Sequence, residues 1–229
     1  MPHPGLHGVI ALAARKTFSQ KHWFALGLVF GSMIPDADGY PQAFAIMAQG
    51  VDPHVAEETF HRTFTHTLFF PLTIALIFLL IHLFKRDQNL LNFGLGMATG
   101  SAILHSLVDI LGFFDGVGLL WPIWSINLYS NVHLTDQQVQ MLRSVNFLAF
   151  TFYFWYLHSI AKKKNSNTEY TPHLRNYMFA QGVLFMVFFA LTFILPFKTY
   201  NTIDGAIFLF LAFPNVLWVT WKMRETIEA

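Results

Sequence analysis

Five stretches of this chain stay apolar for long enough to cross a bilayer, and nothing else in the sequence limits the possible folds so sharply. They are Leu68 to Phe84, Leu90 to Phe114, Val145 to Ala161, Tyr177 to Leu195 and Ile203 to Trp221, each bounded by charge, Pro, Asn or Gly. A hydrocarbon core about 30 Å thick needs roughly 20 residues of helix, and a helix satisfies its backbone polar groups internally. The expected fold class is therefore all-α: a polytopic helical membrane protein with about five transmembrane helices. The charged fraction agrees, since only 12% of 229 residues are charged against about a quarter in soluble domains. The whole chain, 1–229, reads as one membrane-embedded domain, with the transmembrane helices in 68–221. Pro71 falls in an opening turn, where a missing N–H is harmless. Pro214 and Asn215 fall mid-span and predict a kink.

Residues 1–67 are different. Leu6 to Ala14 and His22 to Ile34 are apolar but too short to span, with Arg15, Lys16 and Lys21 between them. They predict a short N-terminal helical hairpin, its turn either dipping toward the cytoplasm or lying in the outer interface. Either way its two ends, His7 and the Pro35-Asp36 region, come together. Basic residues follow the first apolar stretch instead of preceding it, so no cleaved leader is expected.

Lys and Arg accumulate in cytoplasmic loops. Lys85 and Arg86, Lys162 to Lys164 with Arg175, and Lys222 with Arg224 fall on one side if five spans alternate. The expected location is the cytoplasmic (inner) membrane, multi-pass, with residues 35–67, 115–144 and 196–202 facing the extracytoplasmic side. Partners are then the lipid bilayer and a lipid or lipid-linked substrate. A net charge of +1 with scattered basic residues offers no clustered face for nucleic acid. The absence of cysteine excludes disulfide and thiol chemistry.

Three short polar stretches could carry chemistry: Pro35-Asp36-Ala37-Asp38, His61-Arg62-Thr63-Phe64-Thr65-His66 and His105-Ser106-Leu107-Val108-Asp109. His105 and Asp109 are four apart and share one helix face inside a candidate span, where ionisable groups are functional by default. They could grip one metal ion, or form a structural hydrogen-bonded pair. His61 and His66, five apart, would splay by roughly 140° on one helix. Thr63 or Thr65 capping the helix before Leu68 leaves His61 on the loop and His66 in the first turn, and the two can converge; two solvated loop histidines are the alternative. Asp36 and Asp38 could be ligands or ordinary turn residues. His7 completes the series. All of these fall at one membrane face. His82 and His158 fall near the opposite ends of spans.

An N-terminal His, a Pro-Asp-x-Asp turn, His-Arg-x-x-Thr-His ahead of a hydrophobic helix, and His-x-x-x-Asp followed by Gly116-Val117 and Leu119-Leu120-Trp121-Pro122 together resemble the bacterial inner-membrane family of membrane-bound metal-dependent hydrolases. The resemblance covers residues 5–125. In pattern alone, the order of ligand types is also similar to zinc-dependent phospholipases C, although their further His-x-x-x-Glu has no counterpart: Gln137, Lys162 and Tyr177 follow His133, His158 and His173 by four. Gly39 stands where the family has a His, and Phe113-Phe114-Asp115 replaces a Thr-containing turn.

The expectation is a metal-dependent hydrolase of a lipid-linked or phosphoester substrate at the outer membrane face, using one or two divalent ions, zinc above all. His7, Asp36, Asp38, His61, His66, His105 and Asp109 are the expected metal residues. Asp109 and Asp38 are the expected catalytic carboxylates, and Arg62 is expected to hold an anionic substrate group. The rivals are a divalent-metal transporter or channel and a non-catalytic structural membrane protein.

Overall fold

The computed structural model describes residues 4–61, 63–112, 116–167 and 169–229. Arg62 and Asp115 lie outside the described residues, and so do Phe113 and Phe114.

The chain is mostly helical. Helices α1 (Pro4–Ala14) and α2 (Phe24–Met33) form the expected N-terminal hairpin. A 3-10 turn over Ile34–Asp38 leads into α3 (Gly39–Gln49) and α4 (Pro53–Phe60), where Asp52 caps the first turn by accepting from His54 N. Then come α5 (Phe69–Lys85) and α6 (Gln88–Gly112), the latter passing through a π-helical segment at Gly100–His105. Two short antiparallel strands, β1 (Val117–Leu120) and β2 (Trp124–Ile126), make a hairpin pairing Val117 with Ile126 and Leu120 with Trp124. Four helices close the chain at α7 (Asp136–Lys164), α8 (Thr171–Leu191), α9 (Phe197–Lys222) and α10 (Arg224–Glu228).

Among the described residues three helices, α6, α8 and α9, are long and apolar enough to cross a membrane. They correspond to the expected spans beginning at Leu90, Tyr177 and Ile203. The expected count of about five is not matched, for two physical reasons. The Leu68 stretch forms a 17-residue helix, α5, shorter than the other three. The Val145 stretch is the middle of the 29-residue α7, whose Phe147, Phe150, Tyr153, Phe154 and Leu157 are fully buried. With Asn146, Tyr153, Tyr156 and His158 inside it, the stretch is also less apolar than α6, α8 and α9, and its buried side packs against α1 and α8. Ahead of Pro214, where a kink is expected, the helix passes through a π-helical segment over Phe208–Ala212.

Helices α2 and α6 cross backbone to backbone. A Cβ on Gly27 or Gly31 would come within 2.1 or 2.0 Å of the Phe93 or Met97 carbonyl oxygen, and one on Gly96 or Gly100 within 2.2 Å of the Phe24 or Leu28 carbonyl oxygen. Each helix thus brings a small-xxx-small pair to the crossing, the usual device for close helix approach in membranes.

The basic groups gather at one end of the bundle. The turn of the N-terminal hairpin meets the C-terminus there: the Lys16 ammonium donates to the Ala229 carbonyl, and the Glu228 carboxylate accepts from Trp23 N and Leu26 N at 2.9 and 2.7 Å, capping α2. Asn92 of α6 donates to the His22 carbonyl beside it. This is the hairpin arrangement whose turn lies with the basic loops.

Candidate metal centre

The opposite ends of α1, α2 and α6 converge on a cluster built from four parts of the chain. His7 comes from α1, Asp36 and Asp38 from the 3-10 turn, His61 and His66 from the loop before α5, and His105 and Asp109 from α6. All seven side chains are buried, none more than 6% exposed. Six of the seven form three overlapping triads whose ligand atoms lie within 4.8 Å of one another: His7, Asp36 and His105; Asp36, His61 and His66; His66, His105 and Asp109.

The histidines are oriented from behind. His105 Nδ1–H donates to the Ser32 carbonyl at 2.9 Å, and His7 Nδ1–H to the Leu104 carbonyl at 3.3 Å. His61 Nδ1 lies 2.8 Å from Asp38 Oδ1, and His66 Nδ1 3.1 Å from Asp38 Oδ2. A carbonyl or a carboxylate only accepts, so each Nδ1 carries the proton and each Nε2 turns inward. There, Nε2 of His66 and His105 are each 3.4 Å from Asp109 Oδ2, His7 Nε2 is 3.0 Å from Asp109 Oδ1, and His66 Nε2 is 3.8 Å from Asp36 Oδ1. The rings pack at 4.1 Å between His7 and His105 and 4.6 Å between His66 and His105.

Several of these inward atoms have no hydrogen-bond partner: Nε2 of His61, His66 and His105, and Oδ2 of Asp36. Buried polar atoms are almost always paired, and several left unpaired around one point are what a metal site presents before its ion is counted. The donor set, imidazole nitrogen with carboxylate oxygen, suits a divalent ion of the zinc type. The residues present fit such an ion.

Electrostatics agree. Burial alone would lower the His66 imidazole, but Asp38, Asp36 and Asp109 outweigh it and raise it to about 9. Burial would raise Asp38, yet His61 and His66 hold its carboxyl well below the usual carboxylate range. Three buried carboxylates in one cluster require positive charge nearby, either protons on the imidazoles or a cation.

The two aspartates of the turn divide their work. Asp36 belongs to two of the triads, whereas Asp38 belongs to none and instead accepts from both loop histidines and from Thr65 Oγ1 at 2.9 Å. In a 3-10 turn residues two apart point in different directions, which separates them. Thr65 therefore does not cap the helix after it. His66 sits in a 3-10 turn at Phe64–His66, ahead of α5 and not in its first turn, and Thr67 Oγ1 accepts from Phe69 N. Arg62 lies outside the described residues.

Beside the cluster opens a cleft of about 630 Å³, lined by His61, His54 and Glu57 on one side and by Trp121, Ser125 and His133 on the other. Sequence reasoning also missed Arg143. It is 8% exposed and pairs with Glu57 at 3.1 Å and Asp204 at 3.8 Å; Asp204, a carboxylate inside an apolar run, was the available signal. The small residues of the α2–α6 crossing were the other missed feature, legible as Gly27-x-x-x-Gly31 and Gly96-x-x-x-Gly100.

No curated protein and no solved structure matches the chain. A family model, that of the YdjM inner membrane protein, matches residues 4–194, a range that takes in every residue of the cluster and most of the bundle. With its long apolar helices, the chain belongs to the YdjM inner membrane protein family.

Proposed function

We propose that the protein is a membrane-bound, divalent-metal-dependent hydrolase acting on an ester or phosphoester bond of a lipid-borne substrate. One observation carries the reading: unpartnered, buried nitrogen and oxygen atoms of His61, His66, His105 and Asp36 gather beside Asp109, and His61 links this cluster to the wall of an open cleft. A purely structural polar cluster would have closed its own hydrogen bonds. In this reading His66, His105, Asp109 and Asp36 hold one or two ions, with His7 and His61 completing the set. A bound divalent ion supplies an activated water and charge neutralisation of the developing oxyanion. Asp38 holds the rings of His61 and His66 in their ligating tautomer, and the cleft next to His61 admits the scissile bond.

Position supports a lipid substrate. His105 lies seven residues before the end of α6, about 10 Å along its axis at 1.5 Å per residue, so the cluster sits near the end of a candidate span. A bond presented there leaves the apolar part of its substrate in lipid. In this reading the centre faces away from the basic, cytoplasmic end.

The test is turnover by purified protein in nanodiscs, with lipid esters and lipid phosphoesters assayed beside soluble nitrophenyl phosphate. Chelator and Asp109→Asn should each abolish hydrolysis of a lipid substrate. Turnover of the soluble compound alone would defeat the lipid assignment. Bound metal without any turnover would favour metal transport instead.

A further inference from the structure

Between α6 and α7 the chain carries 19 residues, Gly116 to Leu134, without one Asp, Glu, Lys or Arg. A water-exposed connection of that length ordinarily holds several charges, since charged residues make up about a quarter of a soluble protein. The β1–β2 hairpin occupies its first half, and the hairpin tip is apolar and uncovered: Ile123 is 84% exposed, Trp124 50% and Trp121 46%, with Leu128 just beyond at 59%. Nothing in the hairpin buries these side chains in the protein's own core.

Its position is fixed from two sides. Leu68 N donates to the Leu119 carbonyl at 3.0 Å, joining β1 to the start of α5, and Tyr129 Oη donates to the Leu111 carbonyl at 2.6 Å, joining the loop after β2 to the last turn of α6. α6 is a candidate span ending at Gly112, and α5 opens with exposed Leu68, Phe69 and Leu72. The hairpin is thus continuous with the ends of two apolar helices. Gly116, at φ +78°, makes the turn into β1 with no room for a side chain, a Cβ there falling 2.7 Å from the Ile126 carbonyl oxygen.

We propose that the hairpin tip, Trp121 to Trp124 with Leu128, is seated in the headgroup layer of the bilayer, as an interfacial anchor that forms the lipid-side wall of the cleft. Trp is the residue most at home at that depth, apolar in its ring and hydrogen-bonding at its edge. The partner is a lipid surface, since the tip adjoins the end of α6, a candidate span, and the exposed apolar residues that open α5. Trp121 and Ser125 also line the cleft that reaches His61. The same hairpin therefore separates the metal cluster from the bilayer, and a lipid would pass along it into the cleft. The anchoring rests on membrane location and not on hydrolysis; only the route for a lipid deepens the proposed function.

The chain's lack of cysteine allows a direct measurement. A nitroxide is attached at Ile123→Cys, and in a separate variant at Leu128→Cys, in protein reconstituted into phosphatidylethanolamine–phosphatidylglycerol nanodiscs. Collision with oxygen, which concentrates in lipid, is compared with collision with chromium oxalate, which stays in water. Met186→Cys, on the exposed face of the candidate span α8, is the lipid reference, and Gln49→Cys, outside this stretch, the aqueous one. The oxygen-to-oxalate ratio at both hairpin positions should approach that at Met186 and exceed that at Gln49 severalfold. A ratio equal to Gln49 overturns the proposal, as does protection from both reagents, which would mean that another protein copy covers the tip. The readout involves no catalysis, so it stands or falls independently of the hydrolase reading.

Discussion

His105 and Ser32 are joined across the crossing of α2 and α6, the imidazole Nδ1–H donating to the Ser32 carbonyl at 2.9 Å. Ser32 follows Gly31 directly, and Gly31 is where the α6 backbone comes too close for any side chain. The glycine contact and the candidate metal centre are therefore one construction: close approach delivers a main-chain carbonyl to the back of the His105 ring, fixing which nitrogen faces the cluster.

Gly31→Ala should consequently act on two observables. It should destabilise the protein by about 1–3 kcal/mol through overpacking, and it should also lower metal affinity by displacing the Ser32 carbonyl from His105. Gly182→Ala, inside α8 and with the nearest atom to a new Cβ 3.9 Å away, should leave metal affinity unchanged and raise stability by about 0.4–1 kcal/mol. Thermal unfolding and metal titration on the three proteins would check this. Loss of stability without loss of affinity would disconnect the crossing from the site.

Metal content of the purified protein should fall on replacing His66 or His105 by Ala and stay level on replacing His82 or His158. His82 Nδ1–H donates locally, to the Asp87 carbonyl at 3.1 Å, and neither it nor His158 belongs to the triads. Elemental analysis of the four variants decides the matter; equal content in all would mean a hydrogen-bonded cluster that holds no ion.

Asp36 and Asp38 should separate in the same assay. Asp36→Asn removes a charged ligand and should leave the protein largely metal-free at micromolar supply. Asp38→Asn keeps an acceptor behind His61 or His66 but loses the charge, and its affinity should drop by about 10–100-fold, the usual scale for the partner behind a ligand, with full occupancy restored at higher metal concentration. Identical behaviour of the two variants would show that Asp38 is itself a ligand.

Sidedness can be read with single cysteines. Positions Asn89 and Lys164 are exposed at the basic end of the bundle, whereas Gln49 and Gln137 are exposed at the other. In intact cells an impermeant maleimide should label Gln49→Cys and Gln137→Cys and leave Asn89→Cys and Lys164→Cys unmodified until the membrane is opened. The reverse pattern would place the metal centre on the cytoplasmic side.

The sequence by itself determined the helical class, the short N-terminal hairpin and the residue types of the cluster, because these depend on local quantities. Hydropathy over some twenty residues dictates helix in a bilayer, and an i, i+4 spacing puts His105 and Asp109 on one face whatever surrounds them. Tertiary structure decided the rest. Whether an apolar side chain meets protein or its surroundings depends on its neighbours: within Val145 to Ala161, Phe147, Phe150 and Phe154 are buried while Phe152 and Trp155 are exposed. The division between Asp36 and Asp38 depends on a 3-10 turn and on His61 and His66 arriving from more than twenty residues away. Thr65, one of the two threonines expected as a helix cap, shows the same override, since its hydroxyl donates to a buried carboxylate, a stronger, charge-assisted acceptor. Long-range partners of this kind leave no periodicity in the chain, and only the folded backbone brings them within reach.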